Sequence, residues 1–205
     1  MEGFQILKNH FNENQQQALL ADIEKVISAA PLYTPTMPKT GRPFSVQETN
    51  CGTLGWVSDK SGYRYQAHHP TTGQPWPALP NRFLKLWQEI TKNAPMPEAG
   101  LINFYHAQAK MGLHQDKDEE DLNAPVVSIS LGNSAKFRLG GLKRRDEATT
   151  IDLCSGDVVV LAGKARLAYH GINRIIENSS NLLDKHPQWQ NGRFNVTLRR
   201  VTQSS

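Results

Sequence analysis

The second half of the chain is a succession of short apolar segments, and this feature limits the fold more than any other. β-Branched and aromatic residues recur from residue 99 onward in AGLINFYHAQ, PVVSISLG, SAKFRLGG, TIDLCSGDVVVLAG, RLAYHGI and GRFNVTLRRV. Gly, Asn, Asp and Ser separate these segments at intervals typical of a β-sandwich or barrel. The sequence therefore predicts an all-β core over residues 99–205.

The first half predicts two amphipathic helices. Leu, Ile and Val recur at helical spacing over residues 14–30, and Pro31 follows this segment. Residues 81–92 predict a second helix, for which Asn81 would act as the N-cap after Pro80.

The segment between the two helices has a different composition. Residues 34–80 are rich in Gly, Pro, Thr and aromatic residues, which indicates short strands and hairpins. We therefore expect one domain over residues 1–205, with an α+β, mainly β fold. Residues 1–98 would hold the helices and the hairpins, and residues 99–205 the β-rich core.

Composition limits the class of protein and its compartment. With 38% hydrophobic and 20% charged residues, the chain is typical of soluble globular proteins. The apolar run DVVVLAG is too short to span a bilayer, and the N-terminal segment lacks the apolar stretch of a signal peptide. Cys51 and Cys154 form no CxxC pair and indicate free thiols, so we expect a cytoplasmic protein. The net charge of +4 permits a polyanionic partner but fits a simple solubility charge equally well.

The stretch GLHQDKDE places His114, Asp116 and Asp118 at alternating positions. If this stretch is a strand, the three side chains share one face. An H-x-D pair can supply two ligands of a 2-His-1-carboxylate Fe(II) site, which leaves open positions for a cosubstrate and dioxygen. Among the seven histidines, His170 is the best placed to be the third ligand. Taken in isolation, the pair would more often be a solvated His and Asp on a surface strand.

The segment GRFNVTLRRV predicts an anion site. Its polar side chains would share one strand face: Arg193, Asn195, Thr197 and Arg199. Its apolar side chains would share the other: Phe194, Val196 and Leu198. Arginine holds carboxylates in a bidentate fashion, and two separated arginines suit a dicarboxylate. The alternative is an exposed basic edge strand that prevents aggregation.

Aromatic and basic residues are interleaved over residues 50–70. Trp56, Tyr63 and Tyr65 alternate with Lys60 and Arg64. Such a pattern fits a platform for single-stranded or flipped bases. From the residues alone, a hairpin whose aromatic side chains pack on the core is the simpler interpretation.

Several motifs in this order resemble the AlkB family of Fe(II)- and 2-oxoglutarate-dependent dioxygenases, which repair alkylated nucleic acids. They are NFY at 103–105, HQDKDE at 114–119, YHGI at 169–172 and RFNVTLR at 193–199, together with NCGTLGW and GGLKR. The resemblance runs from about residue 48 to 201. It implies a double-stranded β-helix, or jelly-roll, core with flanking N-terminal helices and a nucleotide-recognition lid.

The resemblance also implies residue roles. The iron ligands would be His114, Asp116 and His170. The 2-oxoglutarate site would comprise Asn103, Tyr105, Arg193, Asn195 and Arg199. The substrate-binding residues would be Trp56, which stacks on the base, Tyr63, which contacts the adjacent phosphate, Asp118, which contacts the exocyclic amine, and Arg144 beside the pocket.

The activity implied by the resemblance is oxidative demethylation of bases such as 1-methyladenine and 3-methylcytosine. The reaction would consume O₂ and 2-oxoglutarate and release formaldehyde, succinate and CO₂. Single-stranded DNA would be the substrate, with RNA and tRNA as further candidates, and we expect a monomer that does not bind membranes. A positively charged lesion would suit the carboxylate of Asp118.

Three positions depart from the bacterial pattern of this family. Gln108 replaces a usual Gly, Leu161 a Trp, and Ala168 a larger aromatic residue. The polar stretch within residues 173–192 does not align. These departures concern the lesion size and the strand preference rather than the iron site.

Two other classes of function stay open from the sequence. One is the same chemistry on a protein or a small molecule. The other is a non-catalytic β-barrel binding module. A pure binder does not need two histidines, an aspartate and two arginines together, which argues against the second class.

Overall fold

The chain folds mainly into antiparallel β-strands. The computed structural model describes residues 1–203, so the last two positions of the predicted domain lie outside the described residues. The elements follow in the order β1 (Phe4–Leu7), α1 (Glu13–Ala29), β2 (Gln47–Gly52), β3 (Gly55–Asp59), β4 (Gly62–Gln66), α2 (Asn81–Thr91), β5 (Ala99–Tyr105), β6 (Met111–His114), β7 (Val126–Gly132), β8 (Ser134–Leu139), β9 (Thr149–Leu153), β10 (Val158–Leu161), β11 (His170–Ile176) and β12 (Arg193–Arg199).

The strands of residues 1–203 form two large sheets and one separate hairpin. The six-stranded sheet has the order β1-β10-β7-β12-β5-β2, and the four-stranded sheet the order β6-β11-β8-β9. Strands β3 and β4 pair only with each other. Val126 and Leu161 of the larger sheet join Phe137 and Ile172 of the smaller one in a single buried cluster. The sheets therefore face each other, which confirms the mainly β architecture expected from the sequence.

Helix α1 is fixed by local hydrogen bonds at its start. The Asn12 side chain accepts from the Gln15 amide at 3.0 Å, and the Gln15 side chain accepts from the Asn12 amide at 2.9 Å. The predicted helix over 14–30 is confirmed, shifted by one residue at each end.

Helix α2 is also confirmed, but the predicted N-cap is wrong. Asn81 is already the first helical residue, and Pro80 occupies the cap position without a side-chain hydrogen bond. The physical reason is that Pro80, with its extended ψ of 141°, has the non-helical backbone of an N-cap residue. The helix can therefore begin one residue earlier than predicted, at Asn81.

Both helices cover the outer face of the six-stranded sheet. Ile23 of α1 and Trp87 of α2 are fully buried in one cluster with Val196 and Leu198 of β12. Replacing Trp87 by Ala would cost about 3–5 kcal/mol of stability. Because the apolar residues of β12 point at the helices, its polar residues point at the smaller sheet, as the alternation predicts.

The polar stretch within residues 173–192, which does not align with the family, completes this outer core. Leu183 and Trp189 are buried there, and the Trp189 ring meets the Phe194 ring edge-on at 5.0 Å. The Asn133 side-chain oxygen accepts from the Ser179 amide at 3.0 Å and anchors the turn after β11. The stretch therefore stabilises the sheet from the side opposite the cavity described below.

Within residues 1–203, the α-helices contain 17 and 11 residues, and neither is long and apolar enough to cross a membrane.

Candidate active site

Three potential metal ligands meet between the two large sheets. His114 Nε2 lies 3.7 Å from Asp116 Oδ1, and His170 Nε2 lies 3.9 Å from Asp116 Oδ2. The ligand atoms of all three residues lie within 4.8 Å of one another. The two histidines are direct register partners on the paired strands β6 and β11, which explains how residues distant in sequence become neighbours.

The strand considered for residues 114–118 does not extend to Asp116 and Asp118. Strand β6 ends at His114, and the chain continues without regular structure. Arg166 Nη1 donates to the Asp116 backbone oxygen at 2.6 Å, which fixes the irregular segment. The position of Asp116 beside the two histidines is therefore fixed by a tertiary hydrogen bond to its backbone. It does not result from the alternation of side chains along a strand.

Both imidazoles are oriented by backbone carbonyls. His114 Nδ1 donates to the Gly112 oxygen at 2.9 Å, and His170 Nδ1 donates to the Ala168 oxygen at 3.0 Å. A carbonyl can only accept, so the proton of each neutral ring lies on Nδ1 and the lone pair on Nε2 faces Asp116. Burial, together with the charge that His114 carries when it is protonated, lowers the pKa of His170 to about 4, so the His170 ring is neutral at neutral pH.

Asp116 is ionised despite its burial. Burial favours the neutral acid, but Arg199, His170 and His114 outweigh it and hold the pKa of Asp116 well below its ordinary value. Arg199 Nη2 lies 2.9 Å from Asp116 Oδ2. One carboxylate and two neutral imidazoles are the protonation states that ligate a metal, and this donor set fits Fe(II).

The second arginine of β12 lies deeper. Arg193 is fully buried and donates to the Asn133 oxygen at 3.0 Å and to Ser130 Oγ at 2.5 Å. Burial lowers the pKa of Arg193 to about 10, which leaves it charged at neutral pH, and its Nε has no partner among residues 1–203. A buried charge with an unused donor fits an anionic ligand.

The other predicted cosubstrate residues divide into two groups. Tyr105 is the register partner of Arg193, and Asn103 Oδ1 is buried without a partner in the described chain. Asn103 therefore retains an acceptor for a ligand, whereas the Tyr105 hydroxyl lines the cavity and donates to Met111 Sδ at 3.7 Å. Asn195, in contrast, donates to Ser128 Oγ at 2.6 Å and accepts from Thr197 Oγ1 at 3.0 Å, so its amide is already committed to the protein.

One cavity of about 690 Å³ joins these groups to the surface. This volume lies within the range of ligand sites in proteins. We call the buried end the floor, and it consists of His114, Asp116, His170, Arg193 and Arg199. We call the open end the rim, and it consists of Trp56, Tyr63, Asp118 and Arg144.

Trp56 contacts two other side chains of the rim. Trp56 Nε1 donates to Asp118 Oδ2 at 2.8 Å, and the Trp56 ring stacks on Tyr63 at 5.5 Å. Tyr63 is 52% exposed, and Arg144 lies on the exposed turn between β8 and β9. The four predicted substrate residues thus border one opening, although they are far apart in sequence.

A buried network that the sequence did not reveal connects the β3–β4 hairpin to the floor. Tyr65 of this hairpin donates to Glu119 Oε1 at 2.6 Å and accepts from Arg199 Nη1 at 3.2 Å. Arg166 Nη2 donates to the other Glu119 oxygen at 3.1 Å. In the sequence, Glu119 was visible as a second acidic residue directly after Asp118. Its partners could not be predicted, because they come from three distant segments.

The three departures from the family pattern occupy different positions. Leu161 and Ala168 are buried in the cluster between the sheets, and Leu161 also lines the cavity. Gln108 lies exposed between β5 and β6. Of the three positions that differ from the family pattern, Leu161 is thus the one that lines the cavity.

Two imidazoles and a carboxylate beside two buried arginines define a non-haem iron oxygenase with an anionic cosubstrate. The family model of the 2OG-Fe(II) oxygenase superfamily matches residues 3–199. The chain belongs to this superfamily, and within it to the AlkB family. It is therefore an Fe(II)- and 2-oxoglutarate-dependent dioxygenase, which confirms the class of enzyme and the cofactors expected from the sequence.

Several relatives support this assignment. The chain is 43% identical over 199 residues to the alpha-ketoglutarate-dependent dioxygenase AlkB homolog of Caulobacter vibrioides, covering 97% of this chain and 88% of that protein. It is 42% identical over 200 residues to alpha-ketoglutarate-dependent dioxygenase AlkB of Escherichia coli K12, covering 96% and 89%. A more distant relative is the nucleic acid dioxygenase ALKBH1 of Mus musculus, at 29% identity over 175 residues, covering 83% and 42%.

A solved structure is also similar. The structure of OsALKBH1 superimposes with a TM-score of 0.82 at 31% identity, covering 97% of this chain and 96% of that one.

Proposed function

We propose that this enzyme removes methyl groups from ring nitrogens of damaged bases in single-stranded nucleic acid. DNA would be the main substrate, and RNA, including tRNA, a further one. The preferred lesions would be 1-methyladenine and 3-methylcytosine, which carry a positive charge. The products would be the repaired base, formaldehyde, succinate and CO₂.

The observation that carries this proposal is the Trp56–Asp118 pair at the mouth of the cavity. An indole and a carboxylate lie in hydrogen-bond contact above the floor. The indole face can stack on any base, and the carboxylate attracts a cationic base with an exocyclic amine. The relative named nucleic acid dioxygenase acts, by its name, on the same class of polymer.

The floor residues would hold the cofactor and the cosubstrate. Fe(II) would be bound by His114, Asp116 and His170. Arg193 and Tyr105 would hold one carboxylate of 2-oxoglutarate, and Arg199 and Asn103 would hold its other end. Asn195, whose amide is bonded to Ser128 and Thr197, would line the same site. Bound in this way, Fe(II) and 2-oxoglutarate supply an oxidation that uses both atoms of O₂, one for succinate and one to convert N–CH₃ into N–CH₂OH.

The chain would position the base for this reaction. A damaged base leaves the stack at a lower cost than an intact one. Trp56 would stack on one face of the extruded base, and His170 would border the other face. Tyr63 would contact the adjacent phosphate, and Arg144 would attract the strand. After oxidation, the hydroxyl group of N–CH₂OH gives its proton to solvent as the C=O bond of formaldehyde forms. The electron pair of the broken C–N bond returns to the ring nitrogen, and the base becomes neutral.

The remaining expectations follow from this assignment. The facing sheets would form the double-stranded β-helix, and the β3–β4 hairpin would belong to the nucleotide-recognition lid within residues 1–98. Residues 1–205 would act as a single domain, in a cytoplasmic monomer that does not bind membranes. The two free thiols, Cys51 and Cys154, support the proposed compartment.

A substrate panel tests the proposal. Single-stranded DNA, duplex DNA and single-stranded RNA, each with one 1-methyladenine, are incubated with enzyme, Fe(II) and 2-oxoglutarate. We expect formaldehyde and succinate in a one-to-one ratio, with the fastest reaction on single-stranded DNA. Succinate formation without formaldehyde on every polymer would show that the cosubstrate chemistry is right and the substrate class wrong.

A further inference from the structure

A buried glutamate on the cavity wall has no role in the chemistry described above. Glu48 lies on β2, is 1% exposed and lines the cavity. It is the register partner of Asn103, so its side chain projects from the same face of the sheet as the floor residues.

Glu48 also lies close to the rim. Asn50, two residues along the same strand face, donates to the Trp56 backbone oxygen at 2.9 Å and accepts from the Trp56 amide at 3.0 Å. Two residues of strand span roughly 6.6 Å. Glu48 therefore lies on the same strand face as Asn50, the residue that holds Trp56, and next to Asn103 of β5.

The Glu48 carboxyl lacks a cationic partner in the described part of the chain. Tyr33 donates to Glu48 Oε1 at 2.9 Å, and no ion pair is formed. Arg199 acts on Glu48 only at a distance, since its guanidinium is engaged by Asp116 and Glu119. Glu119 in turn is paired with Arg166. Among the described residues, Glu48 is thus a buried carboxyl of the cavity wall without a cationic partner, and its second oxygen is not bonded by residues 1–203.

The protonation of this carboxyl depends on its surroundings. Burial raises the pKa of Glu48 to about 8, against the opposing effects of Tyr33 and Arg199. A buried carboxyl without a cationic partner is costly in its charged form, and a cationic ligand removes this cost. A neutral ligand of the same shape offers no such compensation.

We propose that Glu48 is a specificity-determining residue that favours cationic bases over neutral bases of the same shape. This inference rests on the proposed function, because it names the base as the occupant of the cavity. Glu48 would act together with Asp118, which lines the same cavity. The chemical class that it selects is a methylated base with a delocalised positive charge.

The test compares two lesions of nearly equal shape. 3-Methylcytosine is cationic at neutral pH and 3-methylthymine is neutral, and each is placed in the same single-stranded oligonucleotide. Two quantities are measured for each lesion: kcat/KM of the loaded enzyme, and the affinity of the iron-free protein by fluorescence anisotropy. The selectivity is the ratio of the two lesions in either quantity.

In Glu48→Gln, which keeps an acceptor for Tyr33, we expect both selectivities to fall about tenfold, mainly through 3-methylcytosine. Glu48→Met, an apolar change of similar volume, is a second variant and should show the same loss. Glu98→Gln is the matched control, since Glu98 is a partly buried carboxylate bonded to the Thr202 amide and hydroxyl outside the cavity. Its selectivities should equal those of the wild type.

Unchanged selectivity in both folded Glu48 variants would overturn the inference, as would an equal loss for both lesions. A wild-type protein that bound 3-methylcytosine without demethylating it would contradict the proposed function alone, and the affinity ratio would still decide the role of Glu48.

Discussion

The floor and the rim of the cavity are built in different ways. The floor side chains Arg193, Arg199 and Asp116 are buried and bonded to backbone or to partners from other strands. The rim side chains are exposed or half-buried, and Trp56 bonds to Asp118 and stacks on Tyr63. The floor is therefore preorganised for ligands that do not vary, whereas the rim must exchange internal contacts for contacts with a base.

The largest effect is expected from removing a floor ligand. His170→Ala should lower kcat/KM at least about a thousandfold and weaken Fe(II) affinity by more than the roughly 10–100-fold typical of an outer-shell change. Iron binding is measured by titration under anaerobic conditions. His186→Ala is the matched control, because His186 pairs with Glu24 at 3.0 Å away from the cavity. Equal iron affinity in His170→Ala and wild type would contradict the ligand assignment.

The next effect concerns the buried arginine of the floor. Arg193→Lys keeps the charge but loses the planar fork, so KM for 2-oxoglutarate should rise roughly 10–100-fold. Iron affinity and oligonucleotide affinity should change little. Steady-state kinetics with varied 2-oxoglutarate measure the effect. An unchanged KM would place the carboxylate assigned to Arg193 elsewhere.

A smaller and selective effect is expected at the rim. Asp118→Ala should reduce kcat/KM on 1-methyladenine about tenfold, since a hydrogen bond to a charged partner is lost. Fe(II) affinity should match the wild type, because Asp118 is exposed and bonded to Trp56 rather than to the floor. A parallel loss of iron would show that the division between floor and rim is wrong.

The smallest effect concerns the link between the two regions. Tyr65→Phe removes the hydrogen bond to Glu119 and should cost about 1 kcal/mol of stability. Thermal unfolding should show a decrease in Tm of roughly 2–4 °C. Tyr63→Phe is the control, because Tyr63 is exposed and its Tm should not change. Equal Tm values for the two variants would mean that the hairpin is held by other contacts.

The sequence predicted those features that depend on local periodicity. The alternation in 193–199 places Arg193 and Arg199 on one face because side chains alternate along any strand. The helix at 14–30 follows from an equally local pattern. The family resemblance added the residue roles, which stay predictions until the variants are measured.

Other features depend on contacts between distant segments and could not be predicted. Asp116 reaches the histidines after the strand has ended, because Arg166, fifty residues later, holds its backbone. Glu119 joins Tyr65 across 54 residues of sequence. The short strand β1 pairs with β10, but its four residues are too few to show a periodicity that predicts a strand. In each case, tertiary partners decided the structure.

The most direct test of the central claim is mass spectrometry of a single-stranded oligonucleotide with one 1-methyladenine. It is incubated with the protein, Fe(II) and air, with and without 2-oxoglutarate, beside the His170→Ala variant. We predict loss of one methyl group with the wild type only when 2-oxoglutarate is present, and no loss with the variant. Persistence of the methyl group in the wild type, with iron shown to be bound, would contradict the account.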